Sequence, residues 1–132
     1  SLQITENKLL QQKPVVLHHL LARVATPVSS NAEEQWHRKR ILLKRYRHTG
    51  EAFSLCPGYR RDENELKLIS LLEQLLGDWH DRVIAIDILR ACGEIETLTA
   101  PLIIELGRQE KLLLGSARIY LHKFFHEKSL CS

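Results

Sequence analysis

Apolar residues in the second half of this chain return at intervals of three and four. The run ENELKLISLLEQLL places Leu66, Ile69, Leu72, Leu75 and Leu76 on one helical stripe, with Asp62 before it as the cap. After Gly77 the pattern resumes through Trp79, Val83, Ile84, Ile86, Ile88 and Leu89 to Ala91. Gly77 either ends one helix or kinks a longer one, since glycine costs only about 1 kcal/mol in a helix interior. A last helix is expected from about Leu98 to His126, with Gly107 and Gly115 as weak points. Upstream, Leu9 to Val24 has helical character with Pro14 near its first turn, and ATPVSSN follows as a linker of turn formers. Ser30 or Asn31 can cap the next helix, which has Glu33 and Glu34 in its first turn and should run to about Phe53. No stretch alternates as a half-buried strand would. The pattern predicts an all-α fold, an antiparallel helical bundle of five or six segments. Its expected organisation is one domain over residues 1–132, with an N-terminal helix and linker over 1–30 and the bundle over 31–126.

Composition supports one buried core: 44% of the 132 residues are apolar, with only six Gly and four Pro. Cys56, Cys92 and Cys131 are an odd count without a CxxC spacing, so neither a disulfide framework nor a zinc clip is indicated and a reducing cytoplasm is expected. No run reaches the roughly 18 apolar residues of a membrane span. The chain contains no methionine and reads as a piece of a longer protein.

Charge changes the picture more. Net charge is +3, yet six of the 19 basic residues lie between Glu34 and Glu51, leaving 13 against all 16 acidic residues elsewhere. The stretch QWHRKRILLKRYRHTGEAF can be laid on a helical wheel at about 100° per residue, with His37 at the origin. Arg40 then falls at about 300°, Lys44 at about 340°, Arg47 at about 280° and Glu51 at about 320°. With His37, these five polar residues occupy a stripe about 80° wide. Trp36, Leu42, Leu43, Tyr46 and Phe53 fall between about 140° and about 260° and should face the core. Arg38 and Arg45, at about 90°, face open solvent. The stripe lies beside the buried face rather than opposite it. Three cations along one edge repel one another by a few tenths of a kcal/mol per close pair, which an anionic partner would relieve. Arginine forks and a mobile lysine suit phosphate oxygens. A merely solvated face is the alternative.

The spacing HxxRxxxKxxR, here His37, Arg40, Lys44 and Arg47, is followed by Glu51 and, after a leucine-rich helix, by LLGDWHD. In that order these elements resemble the CHAD family, the conserved histidine α-helical domain, over about Trp36 to Leu89. His48 departs from the family, which often has an aromatic there. The resemblance implies an all-helical domain of two related bundles, each lending a basic helix to a groove that binds inorganic polyphosphate without catalysis or cofactor. It assigns the polyphosphate contacts to His37, Arg40, Lys44 and Arg47. A complete domain is roughly twice this long, so the chain resembles one half, the C-terminal one, and the other half or a second copy would be its partner. In LLGDWHD, Asp78 could cap a helix after Gly77. Asp81 or His80 could orient Arg40 or Arg47, or His80 could touch the ligand itself.

Other chemistry is less well supplied. The His80-Asp81 pair alone does not make a metal-dependent hydrolase, and no metal site is expected. His122 and His126 stand four apart without the acid of an HExxH pattern, and suit a helix C-terminus. There is no Gly-rich phosphate loop and no nucleophile beside a base. Nucleic acid is the rival ligand, but Trp36, Tyr46 and Phe53 fall on the core side, where they cannot stack on bases. A helical scaffold that docks Leu9 to Val24 on a partner is the third possibility.

Overall fold

The structure is a computed structural model and describes residues 33–58, 62–93 and 96–130, with Leu20 and Arg23 before them; of residues 96 and 126–130 it gives the backbone only. The expected helix from Leu9 to Val24 therefore lies almost wholly outside the described residues. Those that are described form three helices and no strand: α1 over Glu33–Phe53, α2 over Glu63–Cys92 and α3 over Glu96–Leu130. The all-α expectation holds. Among the described residues the glycines expected as possible breaks do not divide helices: α2 runs through Gly77, and α3 through Gly107 and Gly115. Buried Leu72, Leu76 and Trp79 flank Gly77, and their burial outweighs a glycine cost of about 1 kcal/mol.

The chain divides into two compact units, residues 1–70 and 71–132, with the boundary inside α2. In the first unit, α1 starts on Glu33 and Glu34, whose charges suit the helix N-terminus. It tightens at its end into three-residue turns, Ser54 N to Glu51 O at 3.1 Å, Leu55 N to Ala52 O at 3.2 Å and Cys56 N to Phe53 O at 3.0 Å. Gly58, with φ of 83°, then turns the chain in a conformation that a side chain would strain. Asp62 caps α2 as expected: its Oδ1 accepts from Asn64 N at 3.0 Å and Glu65 N at 3.4 Å. Trp36, Leu42, Leu43, Tyr46, Phe53, Cys56, Leu68 and Ile69 are buried. Tyr46 Oη donates to Glu65 Oε1, which ties α1 to the start of α2 across the turn.

In the second unit, α2 ends at Cys92 and Gly93, with φ of 38°, supplies the left-handed residue that closes it. Arg82 Nε donates to Gln109 Oε1 at 3.1 Å, joining α2 to α3 as an antiparallel hairpin. Leu72, Leu76, Trp79, Val83, Ile86, Ala117 and Phe124 are buried. Ile84 and Ile88 belong to the apolar run of α2, yet they are 44% and 57% exposed. They stand about 140° and about 180° round the helix from Trp79, so the arc that buries Trp79, Val83 and Ile86 turns them outward.

One buried residue breaks the polarity rule. Lys39 is only 4% exposed. On the helical wheel it falls at about 200°, in the middle of the apolar arc of α1. Its Nζ donates to the backbone carbonyl of Arg23 at 3.1 Å, and burial pushes its ammonium down from 10.5 to about 8. Below pH 8 the folded chain holds a buried charge. Between about 8 and 10.5 the unfolded chain still binds that proton and the folded chain does not, so stability contributed by this site rises with pH. The stability of the wild type relative to Lys39→Met is thus expected to rise by up to about 3 kcal/mol from pH 7 to pH 10.5, measured by urea denaturation at each pH. A constant difference would show the amine hydrated in solution.

Candidate functional site

Because α1 is regular from Glu33 to Phe53, the angle of each side chain separates the buried face from its margin. Trp36, Lys39, Leu42, Leu43, Tyr46 and Phe53 are buried. His37, Arg40, Arg47 and Glu51 are half-buried, while Lys44, Arg38 and Arg45 are exposed. Three of the four expected ligand residues thus sit at the margin of the core, and Lys44 projects beyond it. From His37 to Arg47 the ten residues rise about 15 Å.

The margin position has an electrostatic consequence. A guanidinium with half its surface removed from water has fewer solvent partners, and Arg40 Nε is a buried donor with no hydrogen-bond partner among the described residues. A buried donor left unmatched costs about 1 to 3 kcal/mol, and with almost no open surface this nitrogen is not itself the atom an anion would meet. Arg38, on the outer face, is already matched: its Nη2 stands 2.7 Å from Glu34 Oε1, with both side chains mostly in water. Surface pairs of that kind are worth at most about 1 kcal/mol.

At the C-terminal end of the edge, Arg47 Nη1 stands 3.0 Å from Glu51 Oε1, and His48 Nδ1 lies 3.3 Å from Glu51 Oε2. Burial pushes the Glu51 carboxyl up, but hydrogen bonds from His48 and Arg47 and their charges outweigh it and hold the group below its usual value. Lys39 and His48 were not singled out by the spacing motif. For Lys39 the helical angle signals burial but not the carbonyl that it bonds, and for His48 the signal is the three-residue step to Glu51.

His80 and Asp81 lie on α2 in the second unit, His80 half-buried and Asp81 exposed. The His80 ring stands 6.3 Å from that of buried Trp79, tilted by 47°. Asp78 does not cap a new helix. Its carbonyl oxygen, in mid-helix, accepts from Arg82 Nη1 at 3.2 Å. His122 is exposed on α3, and the side chain of His126 lies outside the described residues. Among the described residues no group of three His, Cys, Asp or Glu side chains comes together as a metal would require, and no helix is long and apolar enough to cross a membrane.

A model of the CHAD domain matches residues 10–90, well over half of the chain. That span includes all seven residues His37, Arg40, Lys44, Arg47, Glu51, His80 and Asp81. No curated protein and no solved structure matches the chain.

Proposed function

The chain belongs to the CHAD domain family, and on that premise we propose that it binds inorganic polyphosphate, without catalysis, along the edge of α1 formed by His37, Arg40, Lys44 and Arg47. CHAD domains are associated in general with polyphosphate binding. The observation that carries the proposal for this chain is Arg40, whose side chain sits half-buried one turn along α1 from Trp36, where fewer water molecules compete with an anion. His37 and Arg47 share its depth, and Lys44 stands outside them as a mobile charge. Such a row suits a linear anion of repeating phosphates better than a single compact one, since only an extended ligand engages cations about 15 Å apart at once. His80 and Asp81 enter as supporting residues, and their replacement is expected to weaken binding less than Arg40→Ala. Exposed Ile84 and Ile88 on α2 and Leu98, Leu102, Leu112 and Ile119 on α3 favour a protein partner as well, either the other half of a two-repeat domain or a second copy.

Isothermal titration with long-chain polyphosphate, ATP and orthophosphate tests the ligand class. Long-chain polyphosphate is expected to bind at least about tenfold tighter per chain than either small anion, because linked phosphates after the first bind at high effective concentration. Equal affinity for orthophosphate and for the long chain would refute the extended site. Nucleic acid is the competing ligand, and duplex DNA is expected to displace polyphosphate poorly; ready displacement would favour that reading instead.

A further inference from the structure

Glu51 is an odd residue for its place. It lies in the last turn of α1, where the helix dipole disfavours a carboxylate, and that turn contains no basic residue to neutralise it. Its two oxygens reach back instead, Oε1 to Arg47 Nη1 at 3.0 Å and Oε2 to His48 Nδ1 at 3.3 Å. On the helical wheel Glu51 falls within the arc of the basic edge itself, between Arg47 on one side and His48 on the other. Its carboxylate therefore takes up donors that face any anion lying along that edge.

We propose that Glu51 is an internal anion of the edge: it occupies Arg47 and His48, and a bound polyanion must displace it to use them. This inference rests on the polyphosphate reading of the edge. A ligand that uses Arg47 must first separate it from Glu51 and then lie near the freed carboxylate, so every ligand that reaches Arg47 meets the same local penalty. A chain anchored at Arg40 and Lys44 presents its next phosphate to Arg47 at a high effective concentration and keeps that contact in spite of the penalty. The carboxylate thus lowers the affinity of any phosphate chain that spans the edge by one common factor, and His48 becomes a donor for the bound chain once Glu51 is turned away.

The test is calorimetric titration of the full chain with tripolyphosphate and with long-chain polyphosphate at one ionic strength, comparing wild type, E51Q and E34Q. Glu34 is the control, since E34Q removes the same charge from the same helix but on the outer face, where its partner is Arg38. E51Q is expected to tighten the long chain roughly three- to fivefold, the scale of one partly exposed charge pair, and tripolyphosphate by no more than that. E34Q should alter neither by more than about twofold. No gain in E51Q, or an equal gain in E34Q, would overturn the inference, the second by showing that only net charge matters. Wild type that binds neither ligand would instead overturn the polyphosphate reading beneath it. Circular dichroism of each variant checks that α1 is intact.

Discussion

Alanine at Arg40, at Lys44 or at Arg47 is expected to weaken polyphosphate binding by about 1 to 3 kcal/mol in each case, the range of a charge-assisted hydrogen bond. Arg38→Ala and Arg45→Ala should cost much less, because both side chains are exposed and Arg38 already spends its charge on Glu34 at 2.7 Å. Arg40→Ala should show the largest loss of the five, since Arg40 is half-buried and, unlike Arg47, is not engaged by Glu51. The triple variant should fall by more than any single one but by less than the three losses together, because neighbouring cations on one helix share one ligand. Titration at fixed salt measures the set, and fixed salt matters because any polyanion binds more weakly as ionic strength rises. Losses spread evenly over all five positions would mean diffuse attraction to a charged surface. Folding should survive every change, as none of the five side chains is fully buried.

A larger effect on stability is expected from Trp36→Ala. Trp36 is 1% exposed, and its replacement leaves a cavity at the foot of the basic edge. Truncation of a buried tryptophan costs about 3 to 5 kcal/mol, a large part of the total stability of a small domain. Urea denaturation should show the midpoint fall with little change in slope. Ile84→Ala is the contrast: that side chain is 44% exposed, and a loss of no more than about 0.5 kcal/mol is expected. A Trp36→Ala cost as small as that of Ile84→Ala would mean that the core beneath His37 and Arg40 is not packed as described. Polyphosphate affinity measured well below the midpoint would then separate a loosened edge from a lost fold.

How far the sequence was legible depends on whether each feature is local. The type and phase of the helices were readable because a single periodic stripe, Ile69, Leu72 and Leu76, is repeated within one element. Asp62 was readable as a cap because its partners are two and three residues away. The place of the edge beside the buried face followed from one angle per residue, but its grading did not: His37 at about 0° is half-buried while Lys44 at about 340° is exposed. Gly77 was not readable, because its propensity cost is smaller than the burial on either side, and that burial depends on what surrounds the helix. Lys39 shows the same limit in another form. A charge in the apolar arc is tolerated because the carbonyl of Arg23, 16 positions earlier, accepts from it. The bond from Tyr46 to Glu65 likewise joins two elements through a turn that periodicity does not describe.

The continuity of α2 bears on how the chain acquires its structure. Among the described residues, two hydrogen bonds that join helices are close in sequence, 19 residues apart for Tyr46 and Glu65 and 27 for Arg82 and Gln109. Chains dominated by such short-range closures fold in microseconds to milliseconds. Starting a helix is the slow and unfavourable step, whereas extending one adds a hydrogen bond for each residue ordered. Since the boundary between the units falls inside α2, a turn nucleated beside α1 can lengthen past Ser70 and template the second hairpin, and the reverse route is equally open. One nucleation event can therefore serve both halves of the chain.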